Sequence, residues 1–267
     1  DDGKQIGYIN AEVWTENGFT PIHQIVRHET DKNIHRVVTH TGIVDVTEDH
    51  SLLLENKEIA KPTQVGVGTA LLHGNCVNSI DTCTDTSITK EEAKVMGFFF
   101  GDGSCGTYLC KSGVKSTWAL NNSKLEYLEE MQKLCPFETV IYDTIKSSGV
   151  YKLNAKGLVV DIVNKYRNLF YNSHKEKVVP SCILNAPSEI IQSFVDGYYM
   201  AGGDMDIKGK EGSMGMYMLG RKLGYNVSIN TRDDKPFIFR QTWTKSTQRK
   251  VPQKIKKIEC LGKTYGY

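Results

Sequence analysis

The sequence predicts two domains of different class: a β-rich domain from residues 1–88 and 244–267, and an α/β domain from residues 89–243 between them. Three observations support this division. Segments before residue 88, such as HRVVTHTGIVDVT, are short, rich in β-branched residues and separated by turn formers, which is typical of all-β domains. Helical patterns begin at SITKEEAKVMGFFFGDG. A strand-like sequence pattern returns in KIKKIECLGKTYGY, and we expect this segment to rejoin the first domain.

Composition excludes several classes of protein. The 267 residues are 39% apolar and 24% charged, as in ordinary globular proteins, and the net charge of +2 neither requires nor excludes nucleic acid. No stretch approaches the roughly 20 apolar residues that span a bilayer, and the N-terminal residues do not resemble a secretory signal. The seven cysteines lack the paired spacing of zinc sites. We therefore expect a soluble intracellular protein with no membrane partner and with reduced thiols.

Local signals predict the elements of the α/β domain. Ser87 or Thr89, followed by Glu91 or Glu92, is a helix N-cap pattern before a long apolar helix that ends in glycine. The segment NNSKLEYLEEMQKLC is predicted to be an amphipathic helix, and VYKLNAKGLVVDIVNKYRNLF a strand followed by a helix. The buried face of the amphipathic helix is expected to carry Leu125, Leu128, Met131 and Leu134.

An internal sequence repeat divides this domain into two halves. VMGFFFGDG at 95–103 is matched by VDGYYMAGG at 195–203, and in each copy two small residues stand four apart: Gly97 and Gly101, then Gly197 and Ala201. Small residues at this spacing let two helices approach closely, which would bring Asp102 and residue 202 together at the helix ends. A single such glycine could be only a helix C-cap, but two matched copies favour the paired seam.

The two copies resemble the paired motifs of LAGLIDADG homing endonucleases. The resemblance implies two pseudo-symmetric αββαββα halves that grip DNA with β-saddles and cut both strands with Mg²⁺ held by one acidic residue from each motif. Asp102 matches the acidic residue of the first motif, but Gly202 stands at the second position. Asp204 is the alternative ligand that we consider, with Asp206 nearby. The resemblance therefore implies an endonuclease that is impaired or inactive.

Two further segments extend the resemblance. EKVVPSCIL at 176–184 is similar to the lysine-containing segment between the two motifs, which makes Lys177 a candidate for polarising phosphate or solvent. A lone lysine at a strand edge is also commonly only solvated. YMLGRKLGYNVSINTR at 217–232 resembles the helix and strand that follow the second motif in inteins.

The first domain carries a different motif. GIVDVTEDHSLLL at 42–54 resembles the T-x-x-H block of the Hint domain, the all-β horseshoe that performs protein splicing. With the endonuclease motifs behind it, nearly the whole chain resembles an intein of the family-B DNA polymerase type. The resemblance implies that His50 protonates the scissile peptide nitrogen at the N-terminal junction and that Thr47 holds this peptide. Asp49 is expected either to orient His50 or to cap a turn. Splicing of this kind needs no cofactor.

Splicing by an intein also needs junction residues that this sequence does not supply. The family begins with Cys or Ser and ends in Asn, whereas this chain begins with Asp1 and ends with Tyr267. We therefore expect an internal portion of an intein. Its expected partners are N- and C-terminal intein segments, either left out of this sequence or present as separate split-intein chains, and the flanking host protein.

Two function classes stay open at this point. The first is a splicing component with a decayed endonuclease insert. The second is a DNA-binding or DNA-cutting protein whose Hint-like part is scaffold, and here the basic residues Lys245, Arg249 and Lys250 are candidates for phosphate contacts, although such a run is also typical of a solvated face. A non-splicing autoprocessing Hint protein is a third alternative, against which the two endonuclease motifs argue.

Overall fold

The chain divides into two units in a computed structural model, which describes residues 3–15, 18–73, 87–111, 113–235, 237–246 and 253–263. Unit 1 comprises Asp1–Cys76 and Gln248–Tyr267, and unit 2 comprises Val77–Thr247. Both predicted borders, 88/89 and 243/244, fall inside unit 2. The second border is placed too early because it cuts the strand Ile238–Thr244, which pairs within unit 2 up to its last residue. In the described part of the chain, no helix is long and apolar enough to cross a membrane.

The N-terminal part of unit 1 consists of short antiparallel strands. They pair as β1 with β4, β2 with β3, β5 with β6 and β7 with β8. The strands are β1 (Gln5–Gly7), β2 (Glu12–Thr15), β3 (Gly18–Pro21), β4 (Ile25–Arg27), β5 (Asn33–Thr39), β6 (Ile43–Thr47), β7 (Leu52–Leu53) and β8 (Ile59–Ala60), followed by a 3₁₀ helix at Pro62–Gln64.

Unit 2 alternates helices and strands. Its first half contains α1 (Lys90–Asp102), β9 (Gly103–Cys110), β10 (Gly113–Asn122), α2 (Leu125–Leu134), β11 (Thr139–Thr144), α3 (Ile145–Ser148), β12 (Val150–Ala155) and α4 (Val159–Phe170). Its second half contains α5 (Ser181–Leu184), α6 (Ser188–Met200), β13 (Asp206–Lys208), α7 (Lys210–Lys222), β14 (Asn226–Thr231) and β15 (Ile238–Thr244).

The last strand, β16 (Ile255–Lys263), returns to unit 1 and pairs antiparallel with β5, so that the three-stranded sheet has the order β16-β5-β6. This sheet covers a small core of Val37, Val46, Leu52 and Ile255. Among the described residues, unit 1 contains strands and one 3₁₀ helix but no α-helix. The assignment of this unit as a Hint domain stays a prediction.

The predicted αββαββα repeat describes the first half of unit 2 but is wrong for the second. The first half has a four-stranded sheet of order β11-β12-β10-β9, with α1, α2 and α4 in the predicted places. In the described residues of the second half there are three strands, in the order β13-β15-β14. Its first strand ends at Lys208, and Gly209, with φ of +82°, turns the chain directly into α7, so no long hairpin corresponds to β9–β10. The second half is a shortened version of the first.

Helix α1 forms where the sequence predicts it and carries the core of unit 2. The Thr89 hydroxyl oxygen accepts a hydrogen bond from the Glu92 backbone N–H at 3.1 Å, which confirms Thr89 as the N-cap. Phe99 on this helix packs against a buried aromatic cluster of Trp118, Tyr166 and Phe170. Aromatic side chains bury the largest areas per residue, so this cluster fixes α1 against the sheet and α4. The end of α1 is therefore held in one position.

Candidate functional sites

Helices α1 and α6 pack backbone to backbone at two glycines. A methyl group on Gly97 would overlap the carbonyl oxygen of Phe194, and one on Gly197 would overlap the carbonyl oxygen of Lys94. The two contacts are reciprocal, because each glycine faces a carbonyl of the other helix. One turn further on, a Cβ on Gly101 would lie 2.8 Å from that of Ala201. The close helix–helix seam predicted from the internal repeat is therefore present between α1 and α6.

The two helices end differently. Asp102 is the last residue of α1, and strand β9 starts directly after it. Helix α6 ends two residues before the corresponding position, and Gly202 adopts φ of +88°, a left-handed conformation that favours glycine. The N–H of Gly202 donates to the Tyr199 carbonyl at 3.0 Å. The matched position therefore lacks a side chain and also points its Cα–Cβ direction differently from Asp102.

A cleft of about 440 Å³ lies at these helix ends. Its lining includes acidic groups, basic groups and glycines from both halves. The lining comprises Phe100, Gly101, Asp102, Tyr171, Lys175, Glu176, Lys177, Tyr198, Gly202, Gly203, Asp204, Asp206, Ile207 and Lys208. Asp102 is exposed to this cleft, yet the packed helix ends remove part of its hydration and raise its pKa, while the nearby Lys177 charge opposes the rise.

Lys177 caps the C-terminal end of α1. Its ammonium nitrogen lies within hydrogen-bond distance of four backbone carbonyl oxygens, those of Phe99 at 2.7 Å, Phe100 at 3.2 Å, Gly101 at 3.2 Å and Gly103 at 2.6 Å. The Phe99 carbonyl also accepts the Gly103 backbone N–H. A positive charge at the C-terminal end of a helix interacts favourably with the helix dipole, so Lys177 stabilises the end of α1. Burial lowers the pKa of Lys177 to about 8, and Asp102 opposes this shift. These contacts give the Lys177 side chain a structural role. Its catalytic role stays a prediction.

The two aspartates that follow Gly202 differ in availability. The Asp206 carboxylate pairs with Arg240 at 2.5 and 2.7 Å and with Arg232 at 2.6 Å, and these guanidinium groups lower its pKa to about 2. Both its oxygens are therefore engaged. Asp204 is exposed, and one of its carboxylate oxygens accepts the Asp206 backbone N–H at 3.1 Å. Asp204 is the more available of the two carboxylates.

The helix ends offer Mg²⁺ one carboxylate of the matched pair. Mg²⁺ prefers oxygen ligands in near-octahedral geometry, and protein carboxylates supply its anchors. Asp102 offers one carboxylate from the helix ends, and the residue matched to it offers none. Across the described ranges, no group of three or more His, Cys, Asp or Glu side chains is placed to hold a metal ion. At the two matched positions the chain therefore has one carboxylate, that of Asp102, where the sequence resemblance implies two.

The second candidate site is a turn in unit 1 that follows β6. Thr47 ends the strand, and the His50 backbone N–H donates to the Thr47 carbonyl at 3.0 Å. The Asp49 carboxylate accepts the Lys32 ammonium at 2.5 Å and the Thr47 hydroxyl, which together lower its pKa to about 2. Of the two predicted roles for Asp49, the contacts match the turn-forming one.

His50 itself is exposed at the end of this turn. Within the described residues its imidazole accepts or donates no hydrogen bond. The contacts of the Asp49 carboxylate are with Lys32 and Thr47, and its role in orienting the ring stays a prediction. Both ring nitrogens are thus available to a group brought to this turn, which is what a proton donor or acceptor requires.

The predicted basic run is shared between the two units. Lys245 belongs to unit 2, where its ammonium lies 5.4 Å from the ring centroid of Tyr225. Arg249 and Lys250 lie outside the described residues. Lys256 lies on β16 in unit 1, where burial lowers its pKa to about 8. DNA binding by Lys245, Arg249 and Lys250 stays a prediction.

Sequence reasoning missed Lys175. It lines the cleft and adopts φ of +61°, a left-handed conformation that is uncommon for a residue with a side chain. The only sequence signal for it was its position two residues before Lys177. The pairing of Asp206 with Arg232 and Arg240 was also missed, because it joins strand β13, the residue that follows β14, and strand β15.

The chain has relatives among known protein sequences, although no family model matches it. The chain is 46% identical over 275 residues to the DNA polymerase of Acanthamoeba polyphaga mimivirus, a match that covers 96% of this chain and 15% of that polymerase. It is 23% identical over 269 residues to transcription initiation factor IIB of Methanocaldococcus jannaschii, covering 93% of this chain and 37% of that protein. The chain thus spans a minor part of either relative.

Among solved structures, the chain is similar to a crystal structure of the homing endonuclease I-DmoI in complex with DNA and Mn. The match covers 58% of this chain and 89% of that chain, with 16% sequence identity and a TM-score of 0.41.

Proposed function

We propose that the chain is part of an intein, with unit 1 as its splicing domain and unit 2 as an endonuclease-like insert impaired in double-strand cleavage. The observation that carries this proposal is the extent of the two sequence matches. Over nine-tenths of the chain matches a minor part of a DNA polymerase and also a minor part of a transcription initiation factor. These two proteins have different functions, so the shared segment is expected to be an element that different hosts carry.

The splicing role rests on the turn after β6. In the proposed first step, the side-chain sulfur or oxygen of a junction Cys or Ser attacks the preceding carbonyl carbon, and the peptide C–N bond breaks. The leaving nitrogen needs a proton, and His50 is the proposed donor because its imidazole is exposed and free of hydrogen bonds to other described residues. Lys32 and Thr47 hold Asp49, which fixes the turn and hence the position of His50.

DNA is the partner that we propose for unit 2. The β9–β10 hairpin projects from the sheet, and its tip, including Thr107, Leu109 and Val114, is exposed. No Asp or Glu occurs from Gly103 to Lys124, so this hairpin carries only positive charge. The DNA major groove admits a two-stranded β-ribbon, and cationic groups are attracted to the phosphates beside it. The shortened second half offers no matching ribbon, so we expect contact with DNA mainly through the first half.

The proposal of impaired cleavage rests on the small number of free carboxylates in the cleft. Asp102 is available, but the matched Gly202 supplies no ligand and Asp206 is engaged by two arginines. An active nuclease is the second candidate function. It would require Asp204 to replace the missing ligand, and cleavage abolished by Asp204→Asn would favour it over our proposal.

A splicing assay tests the main proposal. The chain is combined with segments that supply a junction Cys or Ser, a terminal Asn and two reporter proteins, and the ligated reporter is measured. We expect ligation, and we expect His50→Ala to slow thiol-induced cleavage at the N-terminal junction by about 10² to 10⁴, the usual loss for a general acid or base. His28→Ala is the matched control, since it removes another exposed histidine of unit 1. Equal rates for the two variants would contradict the role of His50.

A further inference from the structure

Lys177 has no donor left for a ligand. An ammonium group has three N–H donors, and four carbonyl oxygens of residues 99–103 already surround that of Lys177. Turning this side chain toward a phosphate would remove these four contacts and the positive charge at the C-terminal end of α1, which is unfavourable. A phosphate that enters the cleft must therefore meet a different cation.

The turn that leads into Lys177 presents such a cation. Asn172 organises this turn: its side-chain oxygen accepts the backbone N–H groups of His174 at 3.0 Å and Glu176 at 2.9 Å, and its carbonyl accepts that of Lys175 at 3.0 Å. Tyr171 and Lys177 form an antiparallel bridge that closes it. These contacts hold Lys175 at φ of +61°, a conformation that is unfavourable by about 1 kcal/mol for a residue with a Cβ.

Lys175 combines position and free charge. It lines the same cleft as Asp102 and Asp204, it is exposed, and among the described residues it forms no ion pair. Glycine or asparagine would adopt this backbone conformation with less strain, so what lysine adds to the turn is its charge. We propose that Lys175 is the residue through which the cleft contacts a DNA backbone phosphate. This inference rests on the proposed DNA binding of unit 2.

The chain offers a matched control. Lys57 is the other described non-glycine residue besides Lys175 with positive φ, at +68°, and it is also exposed. Its backbone N–H donates to the carbonyl three residues earlier, as that of Lys175 does. Lys57 belongs to unit 1 and is not one of the residues that line the cleft. Replacing either lysine by glutamine removes one charge from the same kind of turn.

The experiment measures how DNA binding depends on salt. The probe is a fluorescein-labelled duplex oligonucleotide that carries the uninterrupted host coding sequence around the insertion point, and its anisotropy is followed from low to physiological salt without divalent metal. One lost phosphate contact should make the slope of log K against log[salt] shallower by about 0.9. We expect this change for Lys175→Gln and no change for Lys57→Gln. Lys175→Gly should show the same change with an equal or higher thermal midpoint, because glycine relieves the strain.

The outcomes separate the two levels of the proposal. An unchanged slope for Lys175→Gln, or equal changes for Lys175→Gln and Lys57→Gln, would overturn the role of Lys175 while leaving DNA binding in place. Failure of the unmodified chain to bind the duplex would overturn both that role and the proposed DNA binding. Splicing, measured on the same variants, should be unaffected in every case, and a splicing defect of Lys175→Gly would show that the turn has another function.

Discussion

Restoring a carboxylate at position 202 is the direct test of the impaired cleft. Two features of Gly202 decide what Gly202→Asp will do. A Cβ at this position would meet no atom within 4 Å, so the side chain fits. The backbone has φ of +88°, which is unfavourable for a residue with a Cβ by about 1 kcal/mol, somewhat less for Asp and Asn. The variant should therefore fold, with a small loss of stability.

Gly202→Asn is the control that isolates the carboxylate. Asparagine has nearly the same shape and the same backbone strain, so the two variants should unfold at similar denaturant concentrations. Ca²⁺ binding, measured by calorimetry, should be at least about tenfold tighter in the Asp variant, a difference of about 1.4 kcal/mol. Because the added charge raises the already raised pKa of Asp102 further, this difference should shrink as the pH falls.

Cleavage of a supercoiled plasmid that carries the insertion site completes the test. We expect the Asp variant to cut it in Mg²⁺ more than either the unmodified chain or the Asn variant. Equal Ca²⁺ affinities for the Asp and Asn variants would refute the reasoning, because they would show that a carboxylate leaving the backbone in this left-handed direction does not reach the site that Asp102 faces.

Three further predictions concern stability. Gly97→Ala should lower the free energy of unfolding of unit 2, measured in urea, by about 3 kcal/mol or more. The added methyl would overlap the carbonyl oxygen of Phe194, which belongs to the backbone and cannot move aside. Gly42→Ala is the control, because its added methyl would meet nothing within 4 Å. Asp206→Asn should flatten the acid branch of the stability curve: the folded pKa of about 2 lies below the ordinary 3.8, so this stabilisation is present above pH 3.8 and is lost as the pH falls toward 2. Lys177→Met should destabilise unit 2 by about 1 to 3 kcal/mol, because it removes the contacts of the ammonium with the carbonyls at the end of α1.

Each of these has a result that would contradict it. Equal urea midpoints for Gly97→Ala and the unmodified chain would mean that the α1–α6 seam is wider than described. An unchanged acid transition in Asp206→Asn would mean that its arginine pairs form equally well in the unfolded chain. If Lys177→Met unfolds at the same denaturant concentration as Lys177→Arg, the carbonyls at the end of α1 do not depend on the cation.

Local patterns predicted the parts of the fold that are set by neighbouring residues. The N-cap at Thr89 and the buried face of α2 follow from spacings of three or four residues, and Leu128 and Met131 are indeed fully buried. The seam between α1 and α6 could be predicted because Gly97 and Gly197 occupy matched places in a repeated segment. These features could be predicted because each depends either on residues within one or two helix turns or on a repeat that is recognisable in the sequence.

The parts that could not be predicted depend on contacts between distant positions. Lys177 reaches carbonyls 74 to 78 residues earlier in the chain, and no local pattern marks such a reach. The end of α6 before Gly202 is set by a left-handed residue, which a glycine permits but does not require. The shortened second half was hidden because the repeat of the helix motif does not extend to the strands after it: Gly209 turns the chain into α7 after a strand of three residues.

The pairing of β5 with β16 has a consequence for the order of events during synthesis. These strands are adjacent in one sheet, but all of unit 2 lies between them in the chain. Closing so long a loop is entropically unfavourable when the loop is disordered, and a folded unit 2 removes most of that penalty. A ribosome also releases β16 only after all of unit 2. The sheet that β6 and the His50 turn belong to is therefore completed only after unit 2 has been made, so a chain that stalls within unit 2 would leave the proposed splicing site unassembled.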